Sequence, residues 1–303
     1  MNTTGGNIVD IQHLTRRFND KAALQDVTIQ IPRGQVFGIV GENGAGKTTL
    51  IKHILGLYRA QQGTVSVFGM DPVRCPKEVL SRIGYLSEQP DFPEWMTIAQ
   101  FMNYMAAFYP KWDRQYAARL LELVSVDPQK KIRELSKGQQ ARVGLCAAQA
   151  HRPELLVLDE PSSGLDPVAR SEILAAVIRT VVDEGRSVLL SSHLLEEVER
   201  VCDHLLFFSK GQVLLSDSME TVLAKHYQIT VRMPGRLDWH SLAGVFNAVE
   251  DNDEWQLFCY ADIGPLTDLL ARRGVQILDK RQLSLNEAFL ARSSQRPLVS
   301  ESA

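Results

Sequence analysis

No run of about 18 apolar residues occurs anywhere in this chain, so the sequence offers no helix able to cross a bilayer. The opening MNTTGGNIVD has no basic region followed by an apolar stretch, and we do not read it as a secretory leader. Cysteine is scarce and scattered. Cys75, Cys146, Cys202 and Cys259 form no CxxC pair, which argues against a zinc site and against a disulfide framework and fits thiols in a reducing cytoplasm. A basic excess is also missing: the net charge is −3, without the Lys/Arg surplus of a nucleic-acid binder. Repeats and low-complexity tracts are absent. What remains is a chain of 303 residues, enough for two domains or one large one with a sizeable core.

Short apolar or alternating runs mark the strands. IVDIQHL and VTIQI read as strands, and VFGIV reads as a buried one. KTTLIKHILGL opens a helix after Gly46 and closes at Gly56. A helix-rich stretch runs from about 97 to 150, punctuated by Pro110 and Pro128. LLVLD (155–159) and SVLLSS (187–192) read as buried strands, each next to a helical pattern. Strands alternating with helices imply a mostly parallel sheet covered on both faces. After about residue 219 the texture changes. QITVRM, a strand–acidic turn–strand unit VFNAVEDNDEWQLFCY, helix GPLTDLLARR, strand VQILDK and helix LNEAFLAR predict a small α+β domain over 220–291. A loose tail is expected over 292–303.

Gly41–Thr49 reads GENGAGKTT, which fits G-x-x-x-x-G-K-[ST] between an apolar strand and a helix. Glycines let the backbone turn tightly, so amides of Gly41, Asn43, Gly44, Ala45 and Gly46 converge on an anion. The helix N-terminus adds its dipole. Lys47 supplies charge for the β- and γ-phosphates, Thr48 a hydroxyl for Mg²⁺, and Thr49 completes the motif. ELLVLDE delivers Asp159 at the C-terminal end of a buried strand, where the ligand crevice of a parallel sheet lies. Asp159 suits Mg²⁺, directly or through water, and Glu160 points elsewhere and suits polarising an attacking water. So far a kinase or a GTPase would also fit.

Two more motifs narrow the choice. Leu135–Gln139 reads LSKGQ, and Ser162–Asp166 reads SSGLD directly after Glu160-Pro161. They resemble the signature LSGGQ, with Lys137 in place of a glycine, and the D-loop of ABC ATPases. The resemblance covers about residues 8–217 in family order. It implies an α/β P-loop NTPase with a mainly parallel sheet, antiparallel N-terminal strands and a helical subdomain at about 90–150. The expected ATP-binding domain is 1–219. Ser136, Gly138 and Gln139 would grip the γ-phosphate held by a second subunit, with Asp166 in the loop that crosses between subunits. His193, ending SVLLSSH, resembles the switch histidine. Phe18 occupies the position where an aromatic ring stacks on adenine; the family more often has Tyr there, and Phe can still stack. In GYLSEQP, Glu88 stands where the family usually has Gln, and Gln89 follows; either side chain could approach Mg²⁺ or the attacking water. A carboxylate would bind the metal more strongly than an amide.

The resemblance implies an ATPase that works as a homo- or heterodimer on the cytoplasmic face of a membrane. Its partner would be a separate permease subunit, with no nucleic acid involved. The 220–291 region resembles the extension of exporter-type subunits and points to export. The competing class is a non-transport ABC ATPase acting on DNA or ribosomes. DNA-repair members insert long coiled coils between P-loop and signature, and no sustained heptads lie between Lys47 and Ser136. Ribosome-acting members usually pair two such domains in one chain, and this sequence has one. Finally, 92–112 (FPEWMTIAQFMNYMAAFYPKW) is rich in aromatics and methionines. Ile98, Met102, Met105 and Phe108 recur at helical spacing and predict a buried stripe. Trp95, Phe101 and Tyr104 are expected to line a groove for a helix of the membrane partner, with Tyr109 and Trp112 nearby.

Overall fold

The near-continuous apolar strands anticipated above sit at the centre of a sheet buried on both faces. The structure, a computed structural model, describes residues 6–182, 185–232, 239–251 and 254–294. In chain order the first elements are β1 (Val9–Phe18), β2 (Lys21–Ile31), β3 (Val36–Val40), α1 (Lys47–Ile54), β4 (Gln62–Val67), α2 (Pro76–Leu80) and β5 (Ile83–Leu86). Next come α3 (Ile98–Ala106), α4 (Arg114–Leu123), α5 (Lys137–Gln149), β6 (Leu155–Asp159), α6 (Pro167–Val182), β7 (Ser187–Ser192), α7 (Leu195–Val201), β8 (His204–Ser209) and β9 (Gln212–Ser218).

A six-stranded sheet runs in the order β5-β6-β7-β3-β8-β9, with β5, β6, β7, β3 and β8 parallel. Every residue of β3, β6 and β7 is buried, as two-sided coverage requires. A separate antiparallel sheet, β2-β1-β4, packs its apolar face (Ile11, Leu14, Leu24, Val27 and Ile29) into the same core as β3 and α1. The α/β class with antiparallel N-terminal strands is therefore as expected.

The helical subdomain is a second core, built by α3, α4 and α5. Side chains define its helix starts. Thr97 with Gln100, and Ser136 with Gln139, form reciprocal capping boxes, and Asp113 caps α4. One expectation for α3 is overturned. Its buried stripe is Ile98, Phe101, Met102 and Met105, with Met105 only partly covered. Phe101 is 5% exposed and packs edge-on against Phe92, so it lines no groove; Phe108 is 60% exposed. The reason is local. The helix ends at Ala106, so a stripe extrapolated to 108 runs out of helix, and the inward face follows the i, i+3, i+4, i+7 pattern from Ile98.

Contacts divide the chain after Ser216, slightly before the expected boundary. Asp217 belongs with the later residues because it accepts a 2.5 Å hydrogen bond from the Tyr260 hydroxyl. The second unit contains α8 (Met219–Lys225), β10 (His226–Arg232), β11 (Val245–Asp251), β12 (Glu254–Tyr260), α9 (Ile263–Arg272), β13 (Gln276–Gln282) and α10 (Leu285–Ser293). Its antiparallel sheet, β11-β12-β10-β13, buries Ile229, Val231, Leu257 and Cys259 beneath Leu266 and Leu270 of α9. The centre of the expected acidic turn (252–253) and the tail from 295 lie outside the described residues.

Candidate functional site

The loop between β3 and α1 is shaped by glycines that nothing larger could replace. Gly46 has φ +112°, and a Cβ there would run into the Ala23 carbonyl; a Cβ on Gly41 would strike the Phe208 carbonyl. The loop borders a cleft of about 970 Å³ lined by Asn43, Gly44, Ala45, Gly46, Lys47, Thr48 and Thr49, with Glu88 and Glu160 across from them. Lys47 is buried. Its ammonium donates to the Gly41 carbonyl at 2.5 Å and lies 3.0 Å from Glu160 Oε1. A desolvated cation needs such partners, and here the loop itself provides them.

Glu160 follows the last residue of β6 and is 5% exposed. Its φ is +49°, a left-handed value that costs a non-glycine residue about 1–3 kcal/mol and clusters at functional sites. Four hydrogen-bond contacts hold it there. Its N–H donates to the Ser191 hydroxyl at 3.0 Å and to the Ser191 carbonyl at 3.2 Å. Its Oε2 accepts from the His193 backbone N–H at 3.2 Å and stands 2.7 Å from His193 Nδ1. The Ser191 hydroxyl in turn donates to Asp159 Oδ1 at 2.6 Å. Asp159 is fully buried, just behind the cleft. Burial, reinforced by the charge on Asp159, pushes the Tyr85 hydroxyl up to about 12, so it stays protonated.

The cleft thus brings together Asn43–Thr49, Glu88 and Glu160, with His193 and Asp159 bonded from behind. Between the two alternatives at the start of the helical subdomain, Glu88 faces this cleft. Glu88 also lines a neighbouring cavity of about 310 Å³, and Gln89 lines that one with Lys137, Ser163 and Gly164 but not the cleft. Other expected residues stand apart within one chain. Phe18 is outside the cleft lining: its ring meets Tyr58 edge-on at 5.6 Å, with the Arg16 guanidinium 4.7 Å above it. Arg17, Asp20 and Lys21 line the cleft on that side. Ser136, Gly138 and Gln139 sit at the N-terminus of α5, where the Ser136 hydroxyl accepts from Gln139 N–H at 3.2 Å. Asp166 caps α6. It accepts from Ala169 N–H at 3.0 Å and Val168 N–H at 2.9 Å, and these bonds hold its carboxyl below the usual range.

Sequence reasoning passed over Ser191, Ser192 and Glu197. The two serines read only as the end of a buried strand, and Glu197 carried no motif that singled it out. Pairing of β7 with β6 is what puts Ser191 opposite Asp159.

The model of the ABC transporter family matches residues 24–163. The ABC transporter ATP-binding protein YtrB of Bacillus subtilis is 32% identical over 226 residues, covering 75% of this chain and 76% of YtrB. The bacitracin transport ATP-binding protein BcrA of Bacillus licheniformis is 31% identical and covers 68% of each chain. A solved ATP-binding subunit of an ABC transporter superposes with a TM-score of 0.65 at 28% identity, over 71% of this chain and 91% of that one.

Proposed function

The chain belongs to the family of ABC transporter ATP-binding subunits and is an ATPase, and from that premise we propose how its residues divide the work. The observation that carries the reading is Glu160: a strained, buried carboxylate between Lys47 at 3.0 Å and His193 at 2.7 Å, bordering the same cleft as the glycine loop. Amides of Asn43–Thr48 and the Lys47 ammonium bind the phosphates. Glu160 orients a water and accepts its proton as the water oxygen bonds to the γ-phosphorus. The bond to the β–γ bridging oxygen breaks, leaving ADP and phosphate. His193 steadies Glu160 and the charge developing opposite it. Catalysis is then positioning plus electrostatics. Thr48 and Glu88 present oxygen donors to the cleft, with Asp159 behind; that hard-oxygen set fits Mg²⁺, which when bound neutralises phosphate charge.

Ser136, Gly138 and Gln139 lie outside their own chain's cleft, which supports a shared site completed by a second ATP-binding subunit. Phe18 remains our choice for the adenine platform, since its ring is exposed and it immediately follows Arg17 and stands two residues before Asp20, both of which line the cleft. Among the described residues no helix is long and apolar enough to cross a membrane, so the partner supplies the spans and this subunit sits peripherally on its cytoplasmic side. The partner's seat is a groove of about 590 Å³ lined by Pro76, Leu80, Met105, Phe108 and Tyr109. None of the three residues expected to line such a groove does so: Phe101 is buried, and Trp95 and Tyr104 are exposed outside this lining, Tyr104 with its ring edge-on against Phe108 at 5.0 Å. The name of BcrA, a bacitracin transport ATP-binding protein, supports a transport role, and the C-terminal extension favours export.

Mixing tests the shared site. Lys47→Ala subunits combined with Ser136→Arg subunits give heterodimers with one composite site doubly damaged and one intact. The mixture should regain ATP-dependent dimerisation beyond either parent. No recovery at any mixing ratio sinks the head-to-tail arrangement.

A further inference from the structure

Three elements behind the cleft converge on one buried carboxylate. Glu197, in the first turn of α7, is 3% exposed. Each of its oxygens lies 2.7 Å from the Ser162 hydroxyl, and Oε2 lies 2.8 Å from the Ser192 hydroxyl. Arg170 of α6 stands 3.1 Å from Oε1. An ionised carboxylate only accepts, so both hydroxyls donate to it. A guanidinium and two hydroxyls replace the water this charge gives up, which is what makes its burial tolerable.

The places of these donors in the chain matter more than their number. Ser162 follows Glu160 by two residues, and Ser192 immediately precedes His193. The Ser192 hydroxyl also accepts from Leu194 N–H at 3.0 Å, so it brackets His193 on both sides. Glu197 therefore ties together the two backbone segments whose side chains meet as the Glu160–His193 pair. Neither Glu197 nor its partners line the cleft, so it has no direct part in the chemistry. We infer that Glu197 is a positioning residue for hydrolysis: it holds the Glu160–His193 pair in register and passes any displacement of loop 161–166 to that pair. This deepens the hydrolytic reading and rests on it. A plain staple would bury the same bonds, but its loss would act on stability and leave the pair's chemistry alone.

The test uses the full chain carrying Glu197→Gln, Ser162→Ala and His193→Ala, singly and in pairs. Glu197→Gln should lower kcat about 10- to 100-fold while KM stays within about threefold, as a displacement of a catalytic group by about 1 Å does. In the His193→Ala background the same substitution should change single-turnover hydrolysis little, because the pair it supports is already gone. Ser162→Ala should act in the same direction, and combined with Glu197→Gln should cost less than the product of the two. Nitrogen NMR of the His193 ring in the nucleotide-free chain adds a readout that needs no turnover. The wild-type ring should be the Nδ1–H tautomer facing Glu160, and Glu197→Gln should mix the tautomers. Wild-type kcat in Glu197→Gln, a full multiplicative loss in the His193→Ala background, a change in KM alone, or an unchanged tautomer would each overturn the inference. If Glu197→Gln fails to fold, Ser162→Ala carries the kinetic and ring tests. A wild-type chain without ATP turnover would count against the hydrolytic reading, and the ring measurement would still decide the link.

Discussion

Glu160 and Arg292 are both charged side chains that folding removes from water, and the two units treat them differently. Glu160 borders an open cleft, meets Lys47 and His193, and sits on strained backbone. Arg292, in α10, is enclosed. Its Nε donates to His226 Nε2 at 3.0 Å, and its guanidinium lies 4.2 Å over Phe246 and 5.0 Å over Tyr260. Burial pulls Arg292 down to about 10, which still leaves it charged at neutral pH. A buried charge beside space for a ligand can be turned to chemistry. One wrapped in rings contributes packing and cation–π attraction. The comparison teaches that burial alone does not mark a site: access, strain and opposed charge do.

A pair of substitutions breaks or sharpens that contrast, and the first should have the largest effect on turnover. Glu160→Gln should keep ATP binding but reduce turnover roughly 100- to 1,000-fold, within the range for losing a general base. ATP should then trap a closed dimer on gel filtration, with the melting temperature near wild type. Arg292→Met should do the reverse: turnover per folded chain unchanged, and stability in urea reduced by about 2–4 kcal/mol, since a buried hydrogen bond and ring contacts are lost together. Wild-type hydrolysis in the first variant, or a turnover defect in the second, would reverse the assignment.

Much of this was legible beforehand because it is local. GENGAGKTT needs only a strand, a glycine turn and a helix, and β3, the loop and α1 provide them. LNEAFLAR reads as a helix and becomes α10, whose start the structure fixes with a capping box between Ser284 and Glu287. What stayed hidden depends on partners distant in sequence. Ser191 matters because β7 pairs with β6, and Glu197 because α7 folds back beside loop 161–166. β4 went unread: QGTVSV has a weak apolar pattern and is a strand because β1 accepts it as a neighbour. Phe101 and Phe108 were exchanged because spacing shows a stripe but not where the helix stops.

Acid offers a smaller effect that treats the two units alike. His151 in the first unit and His226 in the second are both buried and pulled down to about 4, desolvation outweighing bonds to the Ile83 and Val222 carbonyls that favour the charged ring. The folded-state value lies below the unfolded 6.5. As pH falls from about 6.5 to about 4, the unfolded chain takes up protons that the folded one refuses, so stability falls across that window. Each ring should account for roughly 2–3 kcal/mol of the loss. His226→Gln should flatten the pH dependence of urea unfolding for the second unit. A slope unchanged by that substitution would mean that His226 is not held neutral.

The smallest expected effect on the isolated chain, that of Phe108→Ala, carries the contrast into apolar side chains. Phe101 and Phe108 lie in one short segment; the first is enclosed among Phe92, Ile98 and Met102, and the second stands open at the mouth of the groove. Phe101→Ala should cost about 3–5 kcal/mol, because it empties a packed site that cannot collapse onto itself. Phe108→Ala should cost under about 0.5 kcal/mol, as exposed substitutions do, and basal ATPase of the soluble subunit should survive. Its consequence should surface only with the membrane partner present. If a partner helix docks there, the exposed aromatic pair, Tyr104 with Phe108 at 5.0 Å, would offer it a rigid apolar anchor at little entropic cost. In proteoliposomes holding the whole transporter, Phe108→Ala and Tyr104→Ala should weaken subunit association or uncouple transport from hydrolysis. Normal coupling in both variants would show that the groove is not the seat of the partner, and the open phenylalanine would then be surface without a role.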